Sequence, residues 1–349
     1  MHVIHVRNVN GALNAGLELM QEHGVRGESR NGDVIVASAP VTTVYERPWE
    51  RVLFSPSRDA NPFFHLYECL WMLAGRDDVR GVAQYVKRMR TYSDDGRTLH
   101  GAYGKRWRGW FASDPPDYPL DQIKWAIARL RKDPSDRRVV IGMWDPSVDA
   151  HKADDGGKDV PCNTHIYVGR QTDGRLGLTV CCRSNDMIWG AYGANAVHFS
   201  FLHEYLAQAV GMEQGRMVQV SNNFHAYLEP MEKILGHEHE DLYSTTDIGE
   251  QLPVPVISTS AQEFYEDLLM MMDENVSIGL RNVWLRRVAH PALMAHKAYS
   301  DKADEERHTK ALEICEHIVS MDWRVACKMW LLRRHEESLR ARDDGVTYE

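Results

Sequence analysis

Between residues 161 and 227 the chain gathers side chains suited to covalent chemistry: Cys162, Arg183 with Ser184 and Asp186, Gly190, Asn195, and a His225/Tyr227 pair. A thiolate is strongly nucleophilic and also leaves readily, so Cys162 suits reversible addition to an electron-poor carbon. It needs a nearby cation to stay ionised at neutral pH; Arg183 could supply that cation or bind an anionic ligand. Asn195 offers a donor and an acceptor together, which is what reading a pyrimidine edge requires. His225 and Tyr227, two apart on a strand, point to one face and could hold a sugar hydroxyl. Each has a plainer reading. A lone cysteine is more often core than catalyst, Arg183 could simply pair with Asp186, and His225/Tyr227 could line a half-exposed strand.

Two further sets of residues stand upstream. Glu68, flanked by Tyr67, Leu70 and Trp71, would lose hydration on burial and so calls for a partner, a raised pKa or a task. Arg137-Arg138 precede a strand; paired guanidinium groups at such a junction are either solvated charges or a planar clamp for phosphate oxygens.

Elements must position these groups. Leu13, Leu17 and Met20 predict a short helix within 9–23, and the Val/Ile/Thr-rich run 33–45 predicts a strand. Residues 62–75 read as a buried helix opened by Pro62 and closed by Gly75. Leu120, Ile123, Ile127 and Leu130 predict a helix over 119–132, stopped by Asp133-Pro134-Ser135-Asp136. A strand at 139–144 and an exposed linker loop at 146–158 follow. Strands at 164–169 and 176–182 flank the Asp173-Gly174 turn, with a long helix from Ala196 and a strand at 216–220. Helices are expected at 264–272 and 307–332, then a solvated tail from Arg333. The chain divides into residues 1–240 and a mostly helical region, 241–349, packed on them.

Composition narrows the classes. A chain of 349 residues, 43% hydrophobic and 26% charged, can bury one large core. A net charge of -9 argues against a general nucleic-acid binder. The six cysteines show no paired metal-ligand spacing, so no metal is expected, and a reduced cytoplasmic setting fits. Neither a signal peptide nor a run of about 18 apolar residues is present, so a soluble protein without a membrane partner is expected.

The motifs together resemble the thymidylate synthase family, including its pyrimidine hydroxymethylase members. Pro161-Cys162, Arg183-Ser184-Asn185-Asp186, Gly190, Asn195 and His225-Ala226-Tyr227 carry the resemblance. Upstream, Glu68-Cys69-Leu70-Trp71, Tyr103-Gly104-Lys105-Arg106-Trp107-Arg108 and the Asp133–Arg138 element are similar to family motifs in the same order. The resemblance implies an α/β (α+β) fold built on a large mixed sheet packed with helices. It also implies a homodimer of sheets packed back to back and 5,10-methylenetetrahydrofolate as one-carbon donor to a pyrimidine deoxynucleoside monophosphate. By the same resemblance Cys162 adds to C6 of the pyrimidine, Glu68 organises water and Tyr103 serves proton abstraction. Arg30, Arg183 and Ser184 bind phosphate with Arg137 and Arg138 of the other subunit, Asn195 reads the base, and His225 and Tyr227 hold the sugar. Asp186, with Gly190, Met89 and Tyr92, faces the folate.

Departures from the family pattern shape the expected outcome. Asn163 stands where the family has histidine, Cys182 where it has glutamine, and the Gly190–Asn195 loop is one residue longer. Met89 and Tyr92 fall where two family tryptophans wall the folate, and Gly345–Glu349 does not resemble the family's apolar C-terminal cap. A wetter site favours a reaction ended by water over one ended by hydride transfer. The expectation is conversion of dUMP to 5-hydroxymethyl-dUMP. A thymidylate synthase, a dCMP hydroxymethylase and a non-catalytic nucleotide- or RNA-binding homologue are the alternatives.

Overall fold

Eight strands form one mixed sheet in the order β1-β4-β8-β7-β6-β5, with β2 and β3 as a hairpin whose β3 also pairs with β8. The strands are β1 (His2–Val6), β2 (Gly24–Ser29), β3 (Gly32–Ala37), β4 (Val41–Tyr45), β5 (Val140–Gly142), β6 (Asn163–Arg170), β7 (Leu176–Asp186) and β8 (Gln214–Tyr227). This computed structural model describes residues 1–29, 31–112, 119–237, 239–245, 248, 256, 260–273 and 279–343. Fourteen residues long, β8 is the hub: β4 lies antiparallel along its first half, β3 along its end, and β7 parallel on its other side.

Helices cover one face of the sheet. The helix Pro62–Leu73 starts where Asn61 accepts the N–H of Phe64 and Pro62 presets the first turn. The helix Ala196–Val210 packs against it and is almost wholly buried. Buried apolar residues form one cluster from Ile4 to Leu331, so the helices beyond residue 241 share the core of the sheet. Phe63, for example, meets Trp330 edge-on at 5.6 Å. Among the described residues no helix is long and apolar enough to cross a membrane.

Several expected elements differ. The strand 33–45 is two strands, broken at Ser38–Pro40. Residues 146–158 are not a loop throughout: Pro146–Asp154 is a helix, with Asp145 accepting the N–H of Ser147 at its start. The helix expected over 307–332 is two, Arg307–Cys315 and Met321–Asp343, and the second runs into the expected solvated tail as far as Asp343. There Arg333 and Arg334 pair with Asp59.

The largest difference concerns β7 and β8, which run on past 182 and 220. On β7 the buried positions are even-numbered from Leu178 through Cys182 and then shift to Asn185; on β8 they are odd-numbered through Ser221 and then shift to Phe224 and Ala226. The two strands stay paired across this change of phase. Strict alternation therefore ends before the strands do. Arg183 and Asn223 are exposed at the shift, with half-buried Ser184 beside them.

Candidate active site

Cys162 sits just before β6, half-buried, on a turn held from three directions. The Tyr103 hydroxyl accepts the N–H of Cys162 at 3.3 Å and of Asn163 at 3.1 Å. The guanidinium of Arg183 donates to the carbonyls of Pro161 (2.9 Å) and Val160 (3.0 Å). The backbone N–H of Arg183 donates to the Cys162 carbonyl. Burial, with the Cys162 and Cys182 thiols close by, pushes the Tyr103 phenol well above its usual range. Tyr103 therefore stays neutral and keeps its own O–H proton as a donor.

The helix Tyr103–Gly109 is anchored by a residue the sequence reading placed in a loop. Arg106, fully buried, forms a bidentate pair with Asp149 at 3.1 and 2.8 Å, and Trp110 lies against its guanidinium at 3.6 Å. Asp149 belongs to the helix Pro146–Asp154, whose Asp-Pro-Ser opening is a legible start signal.

Behind Cys162 runs a chain of amides. Asn163 donates to Asn195 Oδ1 (3.2 Å), Asn195 to Asn185 Oδ1 (3.0 Å), and Asn185 to Ser221 Oγ (2.9 Å). All four residues are buried. Asn195 closes the π-helical stretch Met187–Asn195, which is kinked at Tyr192 and Gly193. A wide helical turn of this kind takes up one more residue than an α-turn, and the loop here is one residue longer than expected. Gly190 is required by closeness: a Cβ there would lie 2.8 Å from Asn185 Oδ1.

Asp186 opens the same stretch, its Oδ1 accepting the N–H of Trp189. Burial raises its pKa, and Oδ2 is buried with no hydrogen-bond partner among the described residues. Arg58, which sequence reasoning missed, is buried nearby. Its Nε donates to the Ile188 carbonyl at 2.9 Å, its guanidinium lies 4.2 Å from the Trp189 ring, and burial lowers its pKa to about 10. No sequence motif marked it.

Glu68 finds the partner its burial calls for. Its Oε2 lies 3.0 Å from Nε2 of His198, a residue also missed, on the first turn of the helix Ala196–Val210. His198 is three residues beyond Asn195, the spacing that places side chains on one helix face. The Glu68 contact and the Asn163 contact thus leave the same end of the same helix.

The remaining predicted residues lie further out. His225 Nδ1 meets Asn223 Oδ1 at 2.9 Å, and the Tyr227 hydroxyl accepts from Asn31 at 3.3 Å. His225 and Tyr227 share a face, with rings 5.7 Å apart. Arg137 and Arg138 are exposed ahead of β5, Arg138 paired with Asp136. Met89 packs on the core while Tyr92 is 38% exposed, Arg88 lying 5.8 Å from its ring. Arg30 and the segment Gly345–Glu349 fall outside the described residues.

Comparison with known proteins bears on this geometry. The family model of thymidylate synthase matches residues 21–249. The chain belongs to the thymidylate synthase family. It is 47% identical, over the whole of both chains, to a deoxyuridylate hydroxymethyltransferase of Pseudomonas phage M6. A protein of the same name from Bacillus phage SP01 is 35% identical over 62% of this chain and 56% of its own. One from Delftia phage PhiW-14 is 28% identical over 82% of this chain and 76% of its own. The histidine expected after Cys162 is replaced by Asn163, which is tied into the amide chain and keeps a buried Oδ1 without a hydrogen-bond partner among the described residues.

Proposed function

We propose that this chain transfers a one-carbon unit from methylenetetrahydrofolate to C5 of dUMP and completes the reaction with water, giving 5-hydroxymethyl-dUMP. The observation that carries the reading is full-length 47% identity to a deoxyuridylate hydroxymethyltransferase. The site's chemistry is compatible with it.

Cys162 adds as thiolate to C6 of the uracil, which loads charge onto O4 and makes C5 nucleophilic. The hold of Tyr103 and Arg183 on its turn fixes the approach of the sulfur, so little ordering remains for the reaction itself. Beyond its two bonds, Asn195 retains one N–H and one lone pair, enough to meet O4 and the N3–H of uracil. Arg183, Ser184 and Arg30 take the phosphate, His225 and Tyr227 the sugar. The buried, unpartnered Oδ2 of Asp186 suits the ring N–H and amino donors of a pterin, with Gly190, Met89 and Tyr92 along the same ligand. Folate supplies the methylene carbon; Tyr103 takes part in removing the C5 proton, and Glu68 faces the water that follows.

A second copy of the chain fits the sheet face turned away from the helices. Val140, Tyr167, Thr179 and Val218 lie in one cross-strand row there, next to a row of His165, Cys181 and Val220. Val140 and Tyr167 are 41% and 49% exposed. Pairing on this face would let exposed Arg137 and Arg138 serve the neighbouring site. Residues 1–240 then act as the catalytic region and 241–349 as its support.

Mass spectrometry of the nucleotide formed from dUMP or dCMP with methylenetetrahydrofolate tests the reading, with dihydrofolate absorbance followed in parallel. Hydroxymethyl-dUMP without dihydrofolate is expected, and Cys162→Ala should abolish it while still binding nucleotide. dTMP with dihydrofolate would overturn the proposal.

A further inference from the structure

Glu68 and His198 meet as a close pair whose contact lacks the alignment of a hydrogen bond. Glu68 Oε2 and His198 Nε2 lie 3.0 Å apart on side chains 13% and 4% exposed, yet neither atom has an aligned hydrogen-bond partner among the described residues. Leaving a buried polar group without a hydrogen bond is costly. Two such atoms, in contact but without a hydrogen bond between them, keep bonding capacity for an oxygen that reaches both. His65, on the same helix as Glu68, sets its ring edge-on to His198 at 6.4 Å. Burial, then Arg58 and His198, push the His65 imidazole well below its usual pKa, so it brings no competing charge.

We propose that His198 is a further catalytic residue: with Glu68 it forms a two-point cradle for the water that adds to the C5 methylene of the covalent intermediate. The inference rests on the hydroxymethylase reading. His198 Nε2–H donates to the water oxygen while that water donates one O–H to Glu68. A lone pair of the oxygen forms the C–O bond at the exocyclic carbon, and the C=C pair moves toward C5 and O4 as an enolate. The water proton passes to Glu68. The enolate pair then re-forms C5=C6 as the C6–S bond breaks, returning Cys162 to thiolate, and Glu68 releases its proton to solvent. No oxidant or reductant is consumed.

The cradle explains why water could be held at this point of the reaction. Glu68 comes from the helix Pro62–Leu73 and His198 from the helix Ala196–Val210, which also ends the amide chain behind Cys162. The attacking oxygen is thus placed by the elements that place the nucleophile.

The test separates the water step from the steps before it. In His198→Ala, hydroxymethyl-dUMP formation should fall about 100-fold, within the range for a positioned acid–base group. Single-turnover release of tritium from [5-3H]dUMP, which precedes water addition, should change by less than about threefold, as should trapping of the Cys162 adduct with 5-fluoro-dUMP and methylenetetrahydrofolate. His198→Gln, which keeps an N–H donor, should recover part of the loss. His198→Ala should add little to Glu68→Gln, because both remove the same cradle. Unchanged product formation in His198→Ala would overturn the inference, and so would a parallel fall in product, tritium release and adduct. Wild-type protein making dTMP and dihydrofolate would instead overturn the hydroxymethylase reading, and this inference with it.

Discussion

The Tyr103 hydroxyl accepts the backbone N–H groups of both Cys162 and Asn163, tying the turn that carries the thiol to a helix nearly sixty residues upstream. Tyr103→Phe removes that acceptor and leaves two N–H groups without it. At about 1 kcal/mol per hydrogen bond, the rate of Cys162 adduct formation with 5-fluoro-dUMP should fall by roughly 10- to 100-fold. Time-resolved mass spectrometry of the adduct checks this; an unchanged rate would mean the turn holds itself.

Arg183 binds the chain as well as facing solvent. Its two bonds to the carbonyls of residues 160 and 161 need a planar fork that lysine lacks. Arg183→Lys should therefore lower kcat as well as raise KM for dUMP. A rise in KM with kcat intact would assign the residue to phosphate alone.

Gly190→Ala should break the amide chain. The added Cβ would stand 2.8 Å from Asn185 Oδ1 and drive that amide off Asn195. A stability loss of about 1–3 kcal/mol in denaturant unfolding is expected, with weaker dUMP binding.

Acid should destabilise the fold through buried imidazoles. Burial lowers His203 to about 4, the Leu176 carbonyl it donates to works in the opposite direction, and Arg51 lowers it further; burial also takes His296 to about 4. A folded-state pKa below the unfolded value favours the neutral form. The associated stability is present above about pH 6.5 and lost as pH falls toward 4, amounting to about 3 kcal/mol for His203. His203→Gln has no proton to take up and should flatten the fall in urea midpoint between pH 7 and pH 4.5. Parallel profiles for variant and wild type would contradict this.

Much of the candidate site was legible because its residues lie in short, spaced motifs. Glu68 within an apolar helix stood out by type, whereas Cys162 after a proline gained its meaning only from the spaced motifs around it. What escaped depends on long-range contact. Arg58 and His198 read as ordinary members of a loop and a helix, and only tertiary packing brings them to Asp186 and Glu68. The strand ends at Cys182 and Val220 were placed too early because burial changes phase there while backbone pairing continues. Asp149 was passed over although the Asp145-Pro146-Ser147 start signal was present, because a charged, glycine-containing stretch also satisfies a loop pattern.

The grip of Arg333 and Arg334 on Asp59 sets an order of events during synthesis. Asp59 holds a left-handed backbone conformation, φ 49°, beside Arg58, whose guanidinium fastens the Ile188 turn near Asp186. The two ends of the Arg334–Asp59 clasp are 275 residues apart. At translation speeds of about 5–20 residues per second, the loop waits roughly 15 to 55 seconds for its fastening. A nascent chain already displaying Cys162, Glu68 and Asp186 therefore still lacks this clasp, and a ribosome that stalls before residue 333 leaves the Arg58 loop unfastened.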